Sequence, residues 1–314
     1  MHNQNRNENR VVLGELMGQR LLAVSLILPA LLVLAPQNCG SAVEADSAYV
    51  QAKNAYEEED FDRAKNLMEK ALKLDPDNCE YHYLMGGIQG ARAGEASIFT
   101  KFSTAKSCKR HFERAVDLCP DSVKCLRALL GYHRQAPGIA GGDKKEAMRL
   151  LERIFLLDSS AGLWTKAAIA SEDKNYNLAE STYQKMLRTG RDTVKVFSAL
   201  GGLIASQSKD YGRARMFFLR ALAVDTANQA TNYQMARLAV LSKQNLREAI
   251  GRLHDYIAHP EQPDRPDHAA AYWRMGMAYE LVGSPDSART CYESSLKLRP
   301  GYEDARKALR ALRK

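Results

Sequence analysis

Chemistry in this chain would have to start from its seven histidines, its six cysteines and one glycine-rich loop. His254 and His259 stand five apart, so no single helical face carries both. His82, His111 and His133 fall in separate segments with no acidic residue at ligand spacing, and no HExxH pair occurs. No metal site and no cofactor are therefore expected. Without a Gly-x-Ser-x-Gly elbow there is also no recognisable hydrolase nucleophile. The loop Gly138 to Lys144 holds three glycines and leads into a helix start with two lysines, a composition able to cradle a phosphate. Against that, no strand feeds the loop, its spacing differs from a nucleotide loop, and Asp143 would repel an anion. The other reading is an inter-helix turn that Asp143 caps, with Glu146 completing a capping box.

The cysteines point to compartment rather than catalysis. Residues 1–45 have the three parts of an export signal: a polar start with Arg6, Arg10 and Arg20, a 15-residue apolar run from Leu21 to Ala35, and the small-x-small site Val43-Glu44-Ala45. Retention of residues 21–35 as a membrane anchor is the alternative, although the run is short and Pro29 interrupts it. Lipidation at Cys39 is a third reading, with a poor match in Pro36-Gln37-Asn38. Export to an oxidising, periplasmic setting would let the remaining Cys79, Cys108, Cys119, Cys125 and Cys291 pair. Cys79 opens one helix and Cys119 closes the next, and the ends of an antiparallel hairpin lie side by side. Cys79–Cys119 is the expected disulfide, with Cys119–Cys125 as its rival and buried free thiols as the remaining possibility.

Helices must position all of these residues, because no stretch alternates with the period of a strand. The clearest unit is Ala269 to Tyr302. Tyr272, Met275, Gly276 and Tyr279 share one face of a first helix, and Ala288, Tyr292 and Ser295 share one face of a second. Gly276 and Ala288 let the two helices approach, and Pro300 stops the second. This pattern over 34 residues resembles the tetratricopeptide repeat. The alanines Ala147, Ala179, Ala214, Ala249 and Ala288 recur at spacings of 32, 35, 35 and 39. The segment Ala136 to Ala147, APGIAGGDKKEA, resembles one found in exported bacterial proteins of that family.

The resemblance implies an all-α, right-handed solenoid of stacked helix–turn–helix units. Six units are expected over 46–258, a linker at 259–268, a seventh unit at 269–302 and a capping helix at 303–314. Two insertions break the period, one at Ala93 to Lys106 and one at Pro137 to Gly142. Stacked hairpins curve, and their first helices line the inner side. Tyr83, Tyr132, Tyr233, Arg237 and Trp273 are the candidate groove residues there, since aromatic and arginine side chains dominate binding hot spots. Lysines of the chaperone-binding clamp are missing, with Tyr49, Tyr83, Tyr233 and Trp273 in their places.

The implied function is a non-enzymatic adaptor that binds an unidentified protein or peptide in the cell envelope. The formal charge of +8 also permits an accessory subunit that binds an anionic polymer such as a glycan. Nucleic acid is not an expected partner, because no block of five or six like charges and no aromatic-basic motif appears.

Overall fold

The computed structural model describes residues 38–262 and 265–312. The apolar run at 21–35, its flanking arginines and the side chain of Cys39 lie outside the described residues. Fifteen α-helices and a single 3-10 turn occur among the described residues, with no strand.

The helices pair as antiparallel hairpins: α1 (Asn38–Glu57) with α2 (Phe61–Leu74), α3 (Cys79–Glu95) with α4 (Ile98–Leu118), α5 (Val123–Gln135) with α6 (Lys144–Leu157), and α7 (Ser159–Glu172) with α8 (Tyr176–Leu187). Then come α9 (Thr193–Gln207) with α10 (Tyr211–Val224), α11 (Gln229–Ser242) with α12 (Leu246–Ala258), and α13 (His268–Leu281) with α14 (Pro285–Leu298). A last helix, α15 (Glu303–Ala311), covers α14. Each second helix also packs on the first helix of the next hairpin, which is the connectivity of an α-solenoid. First helices touch across hairpins, α1 with α3, α3 with α5, α9 with α11 and α11 with α13, and so form the inner side of the stack.

Local sequence explains where the helices begin. Asp60, Asn78, Ser122, Asp158, Asn175, Asp210, Asn228 and Asp267 each accept a backbone N–H in the first turn of their helix, which supplies partners to otherwise orphaned donors. Two inter-hairpin turns are built alike. Asn78 caps α3 and donates to Asp75, and Asn228 caps α11 and donates to Asp225, at 3.2 and 3.0 Å.

Small residues set how closely helices meet. The five repeating alanines, 147, 179, 214, 249 and 288, are all buried. Four glycines lie where a Cβ would fall within 3 Å of an aromatic ring: Gly86 on Phe112, Gly162 on Phe155, Gly201 on Phe218 and Gly276 on Tyr292. A ring lying on bare helix backbone fixes the spacing at each of these crossings.

The segment before α13 does not separate it from the array. Tyr256 donates to the Pro266 carbonyl at 2.6 Å, and Tyr233, Leu253, Ala271 and Met275 share one buried cluster. Near the other end, α1 begins at Asn38 and runs through Val43-Glu44-Ala45, with Ala45 only 1% exposed.

Candidate functional site

Two departures from the repeat meet on the inner face. The insertion at Ala93 to Lys106 is taken up by lengthening the second hairpin, so that α4 reaches 21 residues. The insertion at Pro137 to Gly142 folds as the 3-10 turn Gly138–Ala140. Tyr132 pins that turn by donating from its hydroxyl to the Ala140 carbonyl at 2.6 Å. Gly141 takes φ +89°, and a Cβ on Gly142 would sit 1.8 Å from the Ala136 carbonyl oxygen, so the tight turn needs glycine at both positions. Between the lengthened hairpin, α5 and this turn lies a hollow of about 510 Å³.

One wall of the hollow is α3, which turns Gly87, Gly90 and Gly94 toward it at spacings of three and four. Glycine inside a helix costs about 1 kcal/mol relative to alanine. Packing does not require it here: a Cβ on Gly94 meets nothing within 4 Å, and one on Gly87 meets only the Tyr56 hydroxyl at 3.9 Å. The opposite wall is α4, with Phe102, Ala105, Cys108 and Phe112, and Phe102 is exposed. Burial pushes the Cys108 thiol up to about 12, so it stays protonated and apolar in character. On the far side of α5 a second hollow of about 390 Å³ opens against α7, beside Trp164. Arg127, Gly131 and Gln135 line both.

The two arginines of α5 differ in what they face. Arg134 is held by carboxylates, bonding Glu172 and, at 2.6 Å, Asp173. Arg127 donates to Thr165 Oγ1 at 2.7 Å and to the Ala161 carbonyl at 2.9 Å, both neutral acceptors. Elsewhere Arg63, Arg92, Arg114, Arg213, Arg252 and Arg299 each face a carboxylate.

The residues expected to line the groove do not converge. Tyr83, half-buried, lies 6.2 Å from Phe112 with the Lys124 ammonium 4.1 Å above its ring. Arg237 donates to Gln234 at 3.3 Å. Trp273 packs 5.5 Å from Tyr302, with the Arg274 guanidinium 4.6 Å from its ring. Tyr132 and Tyr233 are buried, at 9% and 4% exposure; Tyr132 borders the first hollow, whereas Tyr233 packs away from it. Both rings turn toward the neighbouring element of their own hairpin, Tyr132 to the 3-10 turn and Tyr233 to Tyr256 at 5.2 Å. Beside Tyr132, the first hollow is bordered by Phe102, Arg127 and the glycines of α3 and α5, which the groove expectation did not name. The spacing of Gly87, Gly90 and Gly94 just before the longest insertion was the available signal.

The remaining chemical candidates have structural partners. Cys79 and Cys119 form a disulfide with Cα atoms 6.0 Å apart, and Cys108, Cys125 and Cys291 are buried thiols. His82 and His111 meet across the hairpin, Nδ1 to Nδ1 at 2.9 Å. Among the described residues no cluster of three or more His, Cys, Asp or Glu has metal-binding geometry. The Asp143 carboxylate accepts from Lys145 and Glu146 N–H groups and so occupies the helix start that a phosphate would need. The capping box is only half formed: the Asp143 N–H donates to the His133 carbonyl, and Glu146 pairs with Arg149.

Two models of the tetratricopeptide repeat match this sequence, one over residues 269–302 and one over 49–92. No curated protein matches it. Among solved structures, a tetratricopeptide repeat protein from Parabacteroides merdae aligns with TM-score 0.51 at 12% identity, covering 87% of this chain and all of that one. Yeast Tom70 aligns with TM-score 0.58 at 16% identity over 91% of this chain and 58% of its own. At such identities the likeness is one of fold.

Proposed function

The chain is a tetratricopeptide repeat protein, and from that premise we propose that it is a non-enzymatic scaffold of the cell envelope that holds a peptide or partner helix against its inner face. The reading is supported by the family, which generally binds proteins rather than transforming substrates. One observation carries the reading: the hollow of about 510 Å³ where both insertions meet on the inner side of the stack. Its size suits side chains of a partner, and its walls are apolar with two cations. A photo-crosslinking residue at Phe102 should capture a partner in the native envelope, while one at Leu156, 89% exposed on α6, should not. Equal capture at both positions would reject the inner-face assignment.

Export is part of this proposal. The apolar run at 21–35 supports it, and so does the Cys79–Cys119 pair, which persists in oxidising compartments. A second reading, retention of the run as an anchor, is favoured by Ala45: a cut behind this buried residue would remove the first turns of α1. Intact mass of the protein from membranes separates the two, since a species starting at Asp46 rejects the anchor.

A further inference from the structure

We propose that the two hollows flanking α5 act as one site for a partner segment in which two bulky apolar side chains flank an acidic one. This specifies what the scaffold holds and rests on that reading. Shape supplies the apolar half. One hollow lies between the glycines of α3 and Phe102, and the other lies beside Trp164 and Ile169. Gly131 stands between them, and a Cβ there would meet nothing within 4 Å. The missing side chain is not demanded by packing, and the bare Gly131 backbone borders both hollows.

Charge supplies the acidic half. The charged residues lining the first hollow are Lys101 and Arg127, with no carboxylate among them. The second hollow contains Arg134 and Glu172, which satisfy each other. The cation left at the junction is Arg127, and its acceptors, the Thr165 hydroxyl and the Ala161 carbonyl, fix its direction without cancelling its charge. Thr165 is buried and donates in turn to the same Ala161 carbonyl at 2.7 Å, so the guanidinium is set in place before a ligand arrives. A guanidinium held this way at the edge of apolar walls favours a carboxylate over a neutral or cationic group.

The test uses the full chain and labelled peptides with Phe-Glu-Leu, Phe-Gln-Leu or Phe-Lys-Leu between Gly-Ser flanks, followed by fluorescence anisotropy. The Glu peptide should bind about tenfold or more tightly than the Gln peptide, and the Lys peptide should bind least. Arg127→Gln should erase the Glu-over-Gln preference while leaving Gln-peptide binding in place. Gly131→Leu, which fills the shared wall, should abolish binding with melting temperature kept, and Arg149→Gln on α6 should change nothing. Equal binding of the three peptides, or no saturable binding of the Glu peptide, overturns the proposal. So does preference for dodecanoate over every peptide, which would make the site one for a free amphiphile. Partner capture at Phe102 that ignores Arg127→Gln also overturns it, and leaves the scaffold reading intact.

Discussion

At the base of both α3–α4 and α13–α14 a glycine on the first helix faces an aromatic ring on the second: Gly86 meets Phe112 and Gly276 meets Tyr292. A proline follows each second helix, Pro120 or Pro300. Above that common base the two diverge. Helix α14 has 14 residues and α4 has 21. Only the longer hairpin carries a disulfide at its foot and, about one turn of α3 from it, a histidine pair. One residue past the shared glycine, α3 has Gly87 where α13 has Met277, and three residues further Gly90 where α13 has Glu280. Stacking is therefore decided by a few residues near the base. The rest of a hairpin is free to lengthen and to change its inward face without disturbing its neighbours.

The largest effect should come from breaking the shared base. Tyr292 is fully buried and donates to Glu280, so Tyr292→Ala leaves a cavity and removes that bond. The expected loss is about 3–5 kcal/mol by urea unfolding. Phe112→Ala should cost less, because that ring is only half-buried and borders the hollow. A larger loss at Phe112 would mean that the long hairpin, not the regular one, anchors the stack.

Next comes the foot of α3–α4. Replacing Cys79 and Cys119 together by serine releases a crosslink with sequence separation 40. It should cost about 2–4 kcal/mol, with little change in the exchange protection of α13–α14. Mass spectrometry without reduction should find peptides containing Cys79 and Cys119 joined; separate peptides would remove the expected loss.

Much of this was legible in the sequence, for definite reasons. Residues at the base repeat at fixed spacing, so Gly276, Ala288, Tyr292 and Pro300 reveal the hairpin and the solenoid with it. Hairpin ends meet whatever the hairpin's length, so the closeness of Cys79 and Cys119 needs no three-dimensional knowledge. The inward face was not legible. Helical period places Tyr132 and Tyr233 within one residue of either side, and one residue rotates a side chain by about 100°. Their burial depends on partners, Ala140 and Tyr256, that the period does not name. The hollow was hidden for a further reason: part of what opens it is absent side chains, and glycines carry no sign of what they make room for.

A smaller effect should separate the hairpins by pH. His111 stands immediately before Phe112, as Cys291 stands before Tyr292. Burial, then His82 and Arg110, pull His111 down to about 4, whereas burial raises Cys291 to about 11 and keeps it neutral. The neutral form of His111 belongs to the fold. Its contribution is complete above the unfolded value near 6.5 and is lost as pH falls toward 4, because the unfolded chain then binds the extra proton. After allowance for partial exposure, about 1–2 kcal/mol should disappear over that window. Hydrogen exchange should register the loss in α3–α4, and His111→Gln should flatten it. Parallel losses in both hairpins would assign the sensitivity to other groups.

The smallest effect is the most direct test of why the inward face is bare. Gly86 and Gly87 are neighbours with opposite reasons to be glycine. A Cβ on Gly86 would lie 2.5 Å from the Phe112 ring, so Gly86→Ala should cost about 1–3 kcal/mol through forced repacking. On Gly87 it meets only the Tyr56 hydroxyl at 3.9 Å, and α13 carries Met277 at the matching place. Gly87→Ala should therefore stabilise the chain, by up to about 1 kcal/mol, through helix propensity alone. If the bare face serves a ligand, the same substitution narrows the first hollow and weakens capture of the Phe-Glu-Leu peptide while the melting temperature rises. A stability gain with peptide binding unchanged would show that Gly87 is tolerated rather than used, and would leave Phe102 and Arg127 to carry recognition without it.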